Sequence, residues 1–308
     1  MASCLFAALL YCPHPPQASG LDETLTVKQV APGVFVHQGV HQDAMPGNHG
    51  AIANVGFIVG RKCVAVIDTG GSFAEGRALR AAIARQTPLP VCYVINTHVH
   101  PDHVYGNAAF QADGAEFIGH YNLAAAMRAR GGYYANYLER TIGPDLARQS
   151  VLVAPGVPVQ GTYRIDLGDR TLVIQSWPTS HTDNDLTVLD ETTATLWTGD
   201  LVFRERLPTL DGRLAGWLAT MEELADIPAS HVVPGHGAVS MDWPAILQPQ
   251  RQYLQQLQAD VRAALAAKRS IQQATAEIRP DNPSRWQLVE GSHQQNVTAA
   301  FTELEWED

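Results

Sequence analysis

Three histidines and an aspartate are crowded into six positions, directly after an apolar run. The run 91–95 (VCYVI) is typical of a buried strand, and His98 and His100 follow it at alternate positions. Because side chains two apart on an extended backbone point the same way, both imidazoles face one side. A proline at the next position turns the chain and brings Asp102 and His103 back toward the same place. This density of ligand groups exceeds what the packing of a strand end requires, and it predicts a metal site.

Further ligands follow later apolar runs. His181, Asp200 and His236 each come after a stretch typical of a strand. Polar residues at successive strand ends can build a site along one edge of a sheet. A single histidine after Pro-Gly, such as His236, is more often an ordinary loop residue. Three such residues in order behind the first motif instead predict a centre with enough ligands for two metal ions.

This order of ligands, HxHxDH and then His, Asp and His over about residues 28–240, resembles that of the metallo-β-lactamase superfamily. The resemblance implies a ligand set for each of two metals and makes Asp102 and Asp200 the carboxylates that also act in catalysis. The first metal would be held by His98, His100 and His181, the second by Asp102, His103 and His236, and Asp200 would bridge them.

Four segments resemble one particular group within this superfamily. Residues 52–60, 66–72, 95–104 and 211–217 are similar to those of the quinoprotein relay system zinc metallohydrolases. That group is similar to hydrolases found with sulfur-oxidation systems, and it is associated with periplasmic quinone-dependent dehydrogenases. The resemblance does not supply a natural substrate.

The order of apolar patterns predicts an α/β fold. A strand, a helix and the metal-bearing strand between residues 64 and 97 form a βαβ unit with parallel strands. Short strands with turns follow from residue 159, so two β-rich halves flanked by helices predict an αββα sandwich over residues 20–240. An amphipathic helix at 243–268 and a helical tail from 282 predict a C-terminal helical extension over 241–308. That extension could cover the site, brace the sandwich or form a homodimer.

The composition and the N-terminal sequence bear on the binding partners and on the cellular compartment of the protein. The net charge is −10 and the chain has no run of Lys or Arg, which argues against nucleic acid as a partner. The apolar stretch 4–10 and the small residues at 17–20 predict a signal peptide over 1–19, although no basic residue precedes it. We therefore expect a periplasmic or secreted protein, or a cytoplasmic one if the stretch is not a signal. No later run is long enough to span a membrane.

Cys63 and Cys92 open two neighbouring apolar runs. Disulfides between adjacent strands are geometrically awkward, so the sequence favours two buried free thiols.

Two metals on these ligands would share a water, lower its pKa and polarise a carbonyl group. The sequence therefore predicts a hydrolase of a small ester, thioester, lactone or β-lactam with two Zn²⁺ as cofactors. An iron persulfide dioxygenase with one Fe²⁺ and a non-catalytic metal or cofactor carrier are the alternatives. Three residues are candidates for substrate contact: His49 in a polar loop, His120 after a short strand, and Arg206 beyond the bridging carboxylate. The alternatives are an ordinary loop residue for His49, a histidine that orients a ligand or a plain surface histidine for His120, and a salt bridge with Glu205 or Asp211 for Arg206.

Overall fold

Two β-sheets form the centre of the structure. The computed structural model describes residues 25–306. One sheet has seven strands in chain order: β1 (Lys28–Ala31), β2 (Val34–His37), β3 (Val55–Val59), β4 (Val64–Ile67), β5 (Val91–Ile95), β6 (Glu116–His120) and β7 (Val157–Val159). The other has five: β8 (Thr162–Asp166), β9 (Thr171–Ser176), β10 (Leu186–Asp190), β11 (Thr195–Phe203) and β12 (His231–His236), in the order β12-β11-β10-β9-β8.

The direction of pairing separates two kinds of strand. In the first sheet β1 to β4 pair antiparallel, and β4 to β7 pair parallel. In the second, β8 to β11 pair antiparallel and β11 pairs parallel with β12. The strands β4 to β7 therefore all end at one edge of the first sheet, and β11 and β12 run in the same direction in the second.

Apolar faces of the two sheets pack together. Ile95 and Ile118 from the first sheet belong to one buried cluster with Ile174 and Val188 from the second. Trp197 on β11 lies in the same cluster and fills the space above Gly56, where a Cβ would lie 2.6 Å from its ring. This shared core joins the two sheets into a sandwich.

Helices cover both outer faces. They are α1 (Phe73–Gln86), α2 (Pro101–Val104), α3 (Leu123–Thr141), α4 (Pro144–Gln149), α5 (Leu214–Ala225), α6 (Gln248–Ala266), α7 (Ile271–Glu277) and α8 (Val289–Leu304). Leu79 of α1 packs with Phe57 on the first sheet, and Trp217 of α5 packs with Leu196 on the second. The αββα sandwich with C-terminal helices is therefore confirmed. Within residues 25–306, none of the helices combines the length and the apolar character needed to cross a bilayer.

The C-terminal extension packs inward. Leu254 on α6 and Phe301 on α8 belong to the same buried cluster as Trp217 and Val232. The extension thus continues the core on the outer side of the second sheet. The predicted signal peptide and the two cysteines in it, Cys4 and Cys12, lie outside the described residues.

The expectation of two free thiols is wrong. A disulfide joins Cys63 and Cys92, whose Cα atoms are 5.8 Å apart, a usual separation for this bond. The pairing of β4 and β5 shifts at this point: Val64 faces Val91 and Ala65 faces Tyr93, so Cys92 is the extra residue of a bulge. Because a bulge redirects its extra side chain, Cys92 reaches Cys63 as it could not in a regular parallel pair.

After the motif the chain forms two short helices instead of one continuous helix. α2 ends at Val104, and a 3₁₀ helix, Asn107–Asp113, follows it. Gly106 lies between them against α1, where a Cβ would lie 2.0 Å from the Thr69 carbonyl oxygen and 3.0 Å from the Gly76 Cα. This close approach anchors the metal motif to α1.

Candidate metal centre

The six-residue motif begins where β5 ends. The Thr97 backbone N–H donates to Asp68 Oδ1 over 2.8 Å, and its hydroxyl donates to Asp68 Oδ2 over 2.7 Å. Asp68 directly follows β4 with a φ of +53°, a left-handed conformation that aspartate tolerates better than most residues. Asp68 therefore fixes the start of the motif and has a supporting role beside the candidate ligands.

The predicted ligands come together in two groups. Ligand atoms of each group lie within 4.8 Å of one another; the first group is His98, His100, His181 and Asp200, and the second is Asp102, His103 and His236. His181 Nε2 is 3.0 Å from His100 Nδ1 in the first group. His236 Nε2 is 3.4 Å from Asp102 Oδ2 in the second.

Asp200 lies between the groups. Its Oδ2 atom is 3.6 Å from His98 Nε2 and 3.4 Å from His181 Nε2. The same carboxylate reaches the second group, with Oδ1 3.2 Å from His103 Nε2 and Oδ2 3.4 Å from His236 Nε2. One carboxylate thus contacts imidazoles of both groups, as a bridging ligand would.

Each ligand histidine has its other ring nitrogen held by a neighbouring group. The partners are Thr97 Oγ1 for His98 (3.0 Å), Asp211 Oδ2 for His100 (3.1 Å), Asp68 Oδ2 for His103 (2.8 Å), the Thr209 carbonyl for His181 (2.7 Å) and the Ile52 carbonyl for His236 (2.8 Å). Such partners fix the tautomer and ring orientation of metal-binding histidines. All five rings therefore present their remaining nitrogen to the centre.

The atoms that face the centre fit a pair of cations. His98 Nε2, His103 Nε2 and Asp200 Oδ1 are buried and have no hydrogen-bond partner among the described residues. Buried polar atoms without partners are costly and therefore rare. Nitrogen and oxygen donors in this number suit zinc, which binds imidazole and carboxylate in sites of about four ligands.

Burial and neighbouring charges shift the pKa values within the cluster. Burial opposes protonation of His103, but the carboxylates of Asp200, Asp68 and Asp102 raise its pKa well above the ordinary value. Burial also favours neutral Asp200, yet the surrounding histidines hold the pKa of its carboxyl well below the ordinary range. Burial lowers the pKa of His181 to about 3, so this ring is neutral and ready to bind a metal. Metal binding to His103 must displace its proton.

Two glycines allow a close approach of the backbone around Asp200 and the motif. A Cβ on Gly235 would lie 1.8 Å from Asp200 Oδ1, and a Cβ on Gly199 would lie 2.6 Å from the Thr97 side chain. Gly199 also has a φ of +51° within β11. Close backbone approach at both positions brings β11 and β12 to the motif.

Solvent reaches the centre from one side. The side chains of His100 and Asp102 are 17% and 16% exposed, whereas the other ligands are nearly or completely buried. A substrate would therefore approach between these two residues. Burial raises the pKa of the nearby Tyr137 hydroxyl to about 12; the Asp102 carboxylate raises this pKa further and the Arg206 guanidinium lowers it.

The three substrate candidates differ in position. Arg206 extends its guanidinium to 3.5 Å from His236 Nδ1, and its Nε atom is buried without a hydrogen-bond partner among the described residues. Its alternative salt-bridge partners are engaged elsewhere, because Glu205 contacts His41 and Asp211 contacts His100.

His49 and His120 belong to neither ligand group. His49 is partly buried at a φ of +54°, and its Nδ1 atom is buried without a hydrogen-bond partner within residues 25–306. His120 is 2% exposed; its Nδ1 atom accepts from the Asn122 backbone N–H, and its ring lies against Tyr121. A substrate role for either residue stays a prediction.

Sequence reasoning missed the groups that hold the ligands from outside. Asp211 was considered only as a partner of Arg206, but it accepts hydrogen bonds from His100 and from Arg130 on α3. Arg130 also donates to the Tyr134 hydroxyl over 3.2 Å. The carbonyls of Thr209 and Ile52 belong to the backbone, so the residue type carries no signal for them.

The family model of the metallo-beta-lactamase superfamily matches residues 50–236, which contain all seven candidate ligands. No curated protein matches the chain. Among solved structures, a metallo-beta-lactamase from Pontibacter korlensis superposes with a TM-score of 0.61 at 20% identity, covering 75% of this chain and 99% of that one.

Two other structures are similar. The stereoselective inverting sec-alkylsulfatase Pisa1 from Pseudomonas sp. superposes with a TM-score of 0.64 at 18% identity, covering 95% of this chain and 54% of its own. TMB-1 superposes with a TM-score of 0.59 at 17% identity, covering 76% of this chain and 98% of its own. At these identities the likeness shows the fold. Together with the family match, it places the chain in the metallo-beta-lactamase superfamily.

Proposed function

We propose that this protein is a hydrolase that binds two zinc ions and cleaves a small carbonyl substrate such as an ester, thioester, lactone or β-lactam. The observation that carries the proposal is the position of Asp200, with carboxylate oxygens 3.2–3.6 Å from imidazole nitrogens of both ligand groups. Two zinc ions there would supply a hydroxide at neutral pH and polarise the carbonyl group.

Residues of the chain would have the remaining roles in binding and catalysis. Asp200 and Asp102 would hold negative charge beside the histidines, and the partly exposed side of Asp102 would meet the substrate. Arg206 would bind an anionic group, because its buried Nε atom has no hydrogen-bond partner among the described residues and its expected acidic partners are paired with histidines. We therefore favour a substrate that carries a carboxylate or a similar anion.

A sulfate ester is a second candidate substrate. The superposition on Pisa1, a sec-alkylsulfatase, covers 95% of this chain and so includes the C-terminal helices. A sulfate group would also suit the Arg206 guanidinium. Substrate screening should therefore compare carboxylate-bearing esters, thioesters and lactones with secondary alkyl sulfates.

The completeness of the second ligand group argues against the two alternatives. A dioxygenase with one iron needs two histidines and one aspartate, which the first group alone supplies. Asp102, His103 and His236 would then have no role. A carrier protein would not require Asp200 to reach both groups.

Elemental analysis of protein purified without added metal tests the proposal. About two zinc ions per chain, with hydrolysis of at least one substrate of the screen, is the expected result. About one iron per chain with oxygen uptake on persulfides would overturn it in favour of the dioxygenase. Retention of metal without turnover of any ester, thioester, lactone, β-lactam, sulfate ester or persulfide would overturn it in favour of a carrier.

Replacement of the bridging carboxylate gives a second test. Asp200→Ala should lose most of the second metal, because His103 and His236 then retain only Asp102 beside them. A folded Asp200→Ala variant with full occupancy would contradict the bridging role.

We also propose that the protein is exported, with a role linked to quinoprotein or sulfur metabolism. The Cys63–Cys92 disulfide supports export, because such bonds persist in oxidising compartments. Fractionation of cells that express the full chain, followed by the mass of the mature N-terminus, tests this. A cytoplasmic protein with an intact N-terminus would refute it.

A further inference from the structure

The segment between β11 and α5, residues 204–213, contacts the metal centre on one side and the C-terminal extension on the other. On the metal side, the Thr209 carbonyl accepts from His181 Nδ1 and Asp211 accepts from His100 Nε2. The Asp211 backbone N–H also donates to the His181 carbonyl over 3.1 Å. Two ligands of the first group therefore depend on how this segment is held.

The segment has no regular secondary structure across 207–210 to hold it in place. The extension supplies the missing partners. At its start, the Leu207 N–H donates to the Gln287 carbonyl over 3.0 Å, and the Gln287 N–H donates to the Glu205 carbonyl over 2.7 Å. At its end, Glu303 on α8 accepts from the backbone N–H groups of Leu214 and Ala215 at the start of α5.

Asn296 on α8 holds the middle of the segment. Its Oδ1 atom accepts from the Leu210 N–H over 2.8 Å, and its Nδ2 atom donates to the Pro208 carbonyl over 2.7 Å. Asn296 is fully buried. Its amide also donates to the Tyr253 hydroxyl over 2.8 Å, and that hydroxyl is 3.0 Å from His293 Nδ1. Tyr253 on α6 therefore also helps to fix the Asn296 side chain.

One peptide unit connects Asn296 with the metal centre. The Leu210 N–H and the Thr209 C=O belong to the same planar group and point in opposite directions when the bond is trans. Asn296 accepts from the N–H on one side, and His181 donates to the C=O on the other. Hydrogen bonds in such a chain polarise and strengthen one another.

We propose that Asn296 is a positioning residue for His181: through the Thr209–Leu210 peptide it fixes the tautomer and orientation of this ligand. The C-terminal extension is then part of the scaffold of the first metal site, although it contributes no ligand. The inference rests on the proposed function only in treating His181 as a metal ligand.

The first measurement uses metal-free protein, so its outcome does not depend on whether the proposed metals bind. Long-range ¹H–¹⁵N correlation spectra report which ring nitrogen of His181 carries the proton. In the wild type we expect the proton on Nδ1, where it donates to Thr209. Asn296→Leu has a similar volume but loses both hydrogen bonds to the 208–210 backbone, so we expect a mixture of His181 tautomers.

The second measurement is zinc retention in competition with a chelator. Loss of a group that orients a ligand typically lowers metal affinity by about 10–100-fold, and we expect a decrease of this size for one of the two zinc ions in Asn296→Leu. If wild-type protein binds no zinc, the proposed function fails, while the His181 spectrum still tests the positioning role.

Glu303→Met is the matched control, because it removes two hydrogen bonds of the same extension but leaves the 208–210 backbone contacts in place. It should be destabilised while keeping the wild-type His181 tautomer and zinc retention. If Asn296→Leu does not fold, Asn296→Ala replaces it, since it also removes the acceptor for the Leu210 N–H and needs no additional space. A folded Asn296 variant whose His181 spectrum and zinc retention match those of the control would overturn the proposal.

Discussion

Gly235→Ala should disable the metal centre without replacing any ligand. A Cβ at this position would lie 1.8 Å from Asp200 Oδ1 and 2.9 Å from the Asp200 backbone nitrogen. Normal contact requires about 3.5 Å, so the carboxylate would have to move by about 1.7 Å. A displacement of that size removes its contacts with one ligand group or with both.

The size of the effect follows from two terms. Misplacement of a reacting group by about 1 Å can lower a rate about 100-fold, so we expect a loss of at least this size in kcat/KM. Overpacking of a buried position costs about 1–3 kcal/mol of the free energy of unfolding. Because Gly235 has an ordinary backbone conformation, no additional backbone strain is expected.

The assay combines elemental analysis, thermal unfolding and the hydrolysis rate. Gly235→Ala should stay folded, retain fewer metal ions per chain than the wild type and lose most activity. Gly156→Ala is the control, because nothing lies within 4 Å of its added Cβ and its φ is ordinary. Full metal content and wild-type activity in Gly235→Ala would refute the claim that β12 must approach Asp200 this closely.

Three further predictions concern stability. Arg170→Met should lower the free energy of unfolding by about 3–5 kcal/mol, because it leaves the buried Asp190 carboxylate unpaired. Arg61→Met, which removes an exposed pair, is the control and should change it by less than about 1 kcal/mol. Chemical denaturation of both variants measures the difference. Cys63→Ser should cost about 3.5 kcal/mol from the loop of 29 residues, and added reductant should reproduce the loss in wild type; equal stability of both forms would contradict it. Burial raises the pKa of Glu75 to about 8. The free energy of unfolding of the metal-free wild type should therefore fall between about pH 4.5 and 8, by up to about 1.4 kcal/mol per pH unit. Glu75→Gln should remove this pH dependence. Parallel pH profiles of variant and wild type would contradict the last prediction.

The sign of the Glu75 prediction follows from proton uptake. The unfolded carboxyl ionises above about pH 4.5, while the buried one stays protonated to about pH 8. Between these values the folded state binds one proton more, so stability falls as the pH rises. Glutamine keeps the oxygen that accepts from the Gly71 N–H and cannot ionise.

The candidate metal ligands could be predicted because their chemistry resides in side chains. Histidine and aspartate at strand ends are unusual for packing, and the resemblance to the superfamily then implied how they divide into two groups. The layer order of the fold was equally accessible, since strand and helix periodicities alternate as an αββα sandwich requires. The seven ligands predicted from sequence are the same residues that form the two groups in the structure.

Other features depend on the backbone and carry little signal in the residue types. The bulge at Cys92 is a shift in pairing, so the disulfide it allows was not predictable from the two apolar runs. Gly106 interrupts the helix after the motif because α1 approaches it, which is a tertiary contact. By contrast, α7 has a capping box between Ser270 and Gln273, a local signal that the sequence reasoning overlooked.

The relation between the sandwich and the extension is clearest from the core. The family match ends at residue 236, and the sequence pattern predicts a boundary near 240. Yet Val232 of β12 and Trp217 of α5 share one buried cluster with Leu254 and Phe301 from the extension. The hydrogen bonds of Asn296 cross the same boundary to reach the segment that holds His181. Both the apolar core and the hydrogen bonds that hold the His181 segment cross this boundary. A change in the extension should therefore affect the metal centre, and a change in the metal centre should affect the extension.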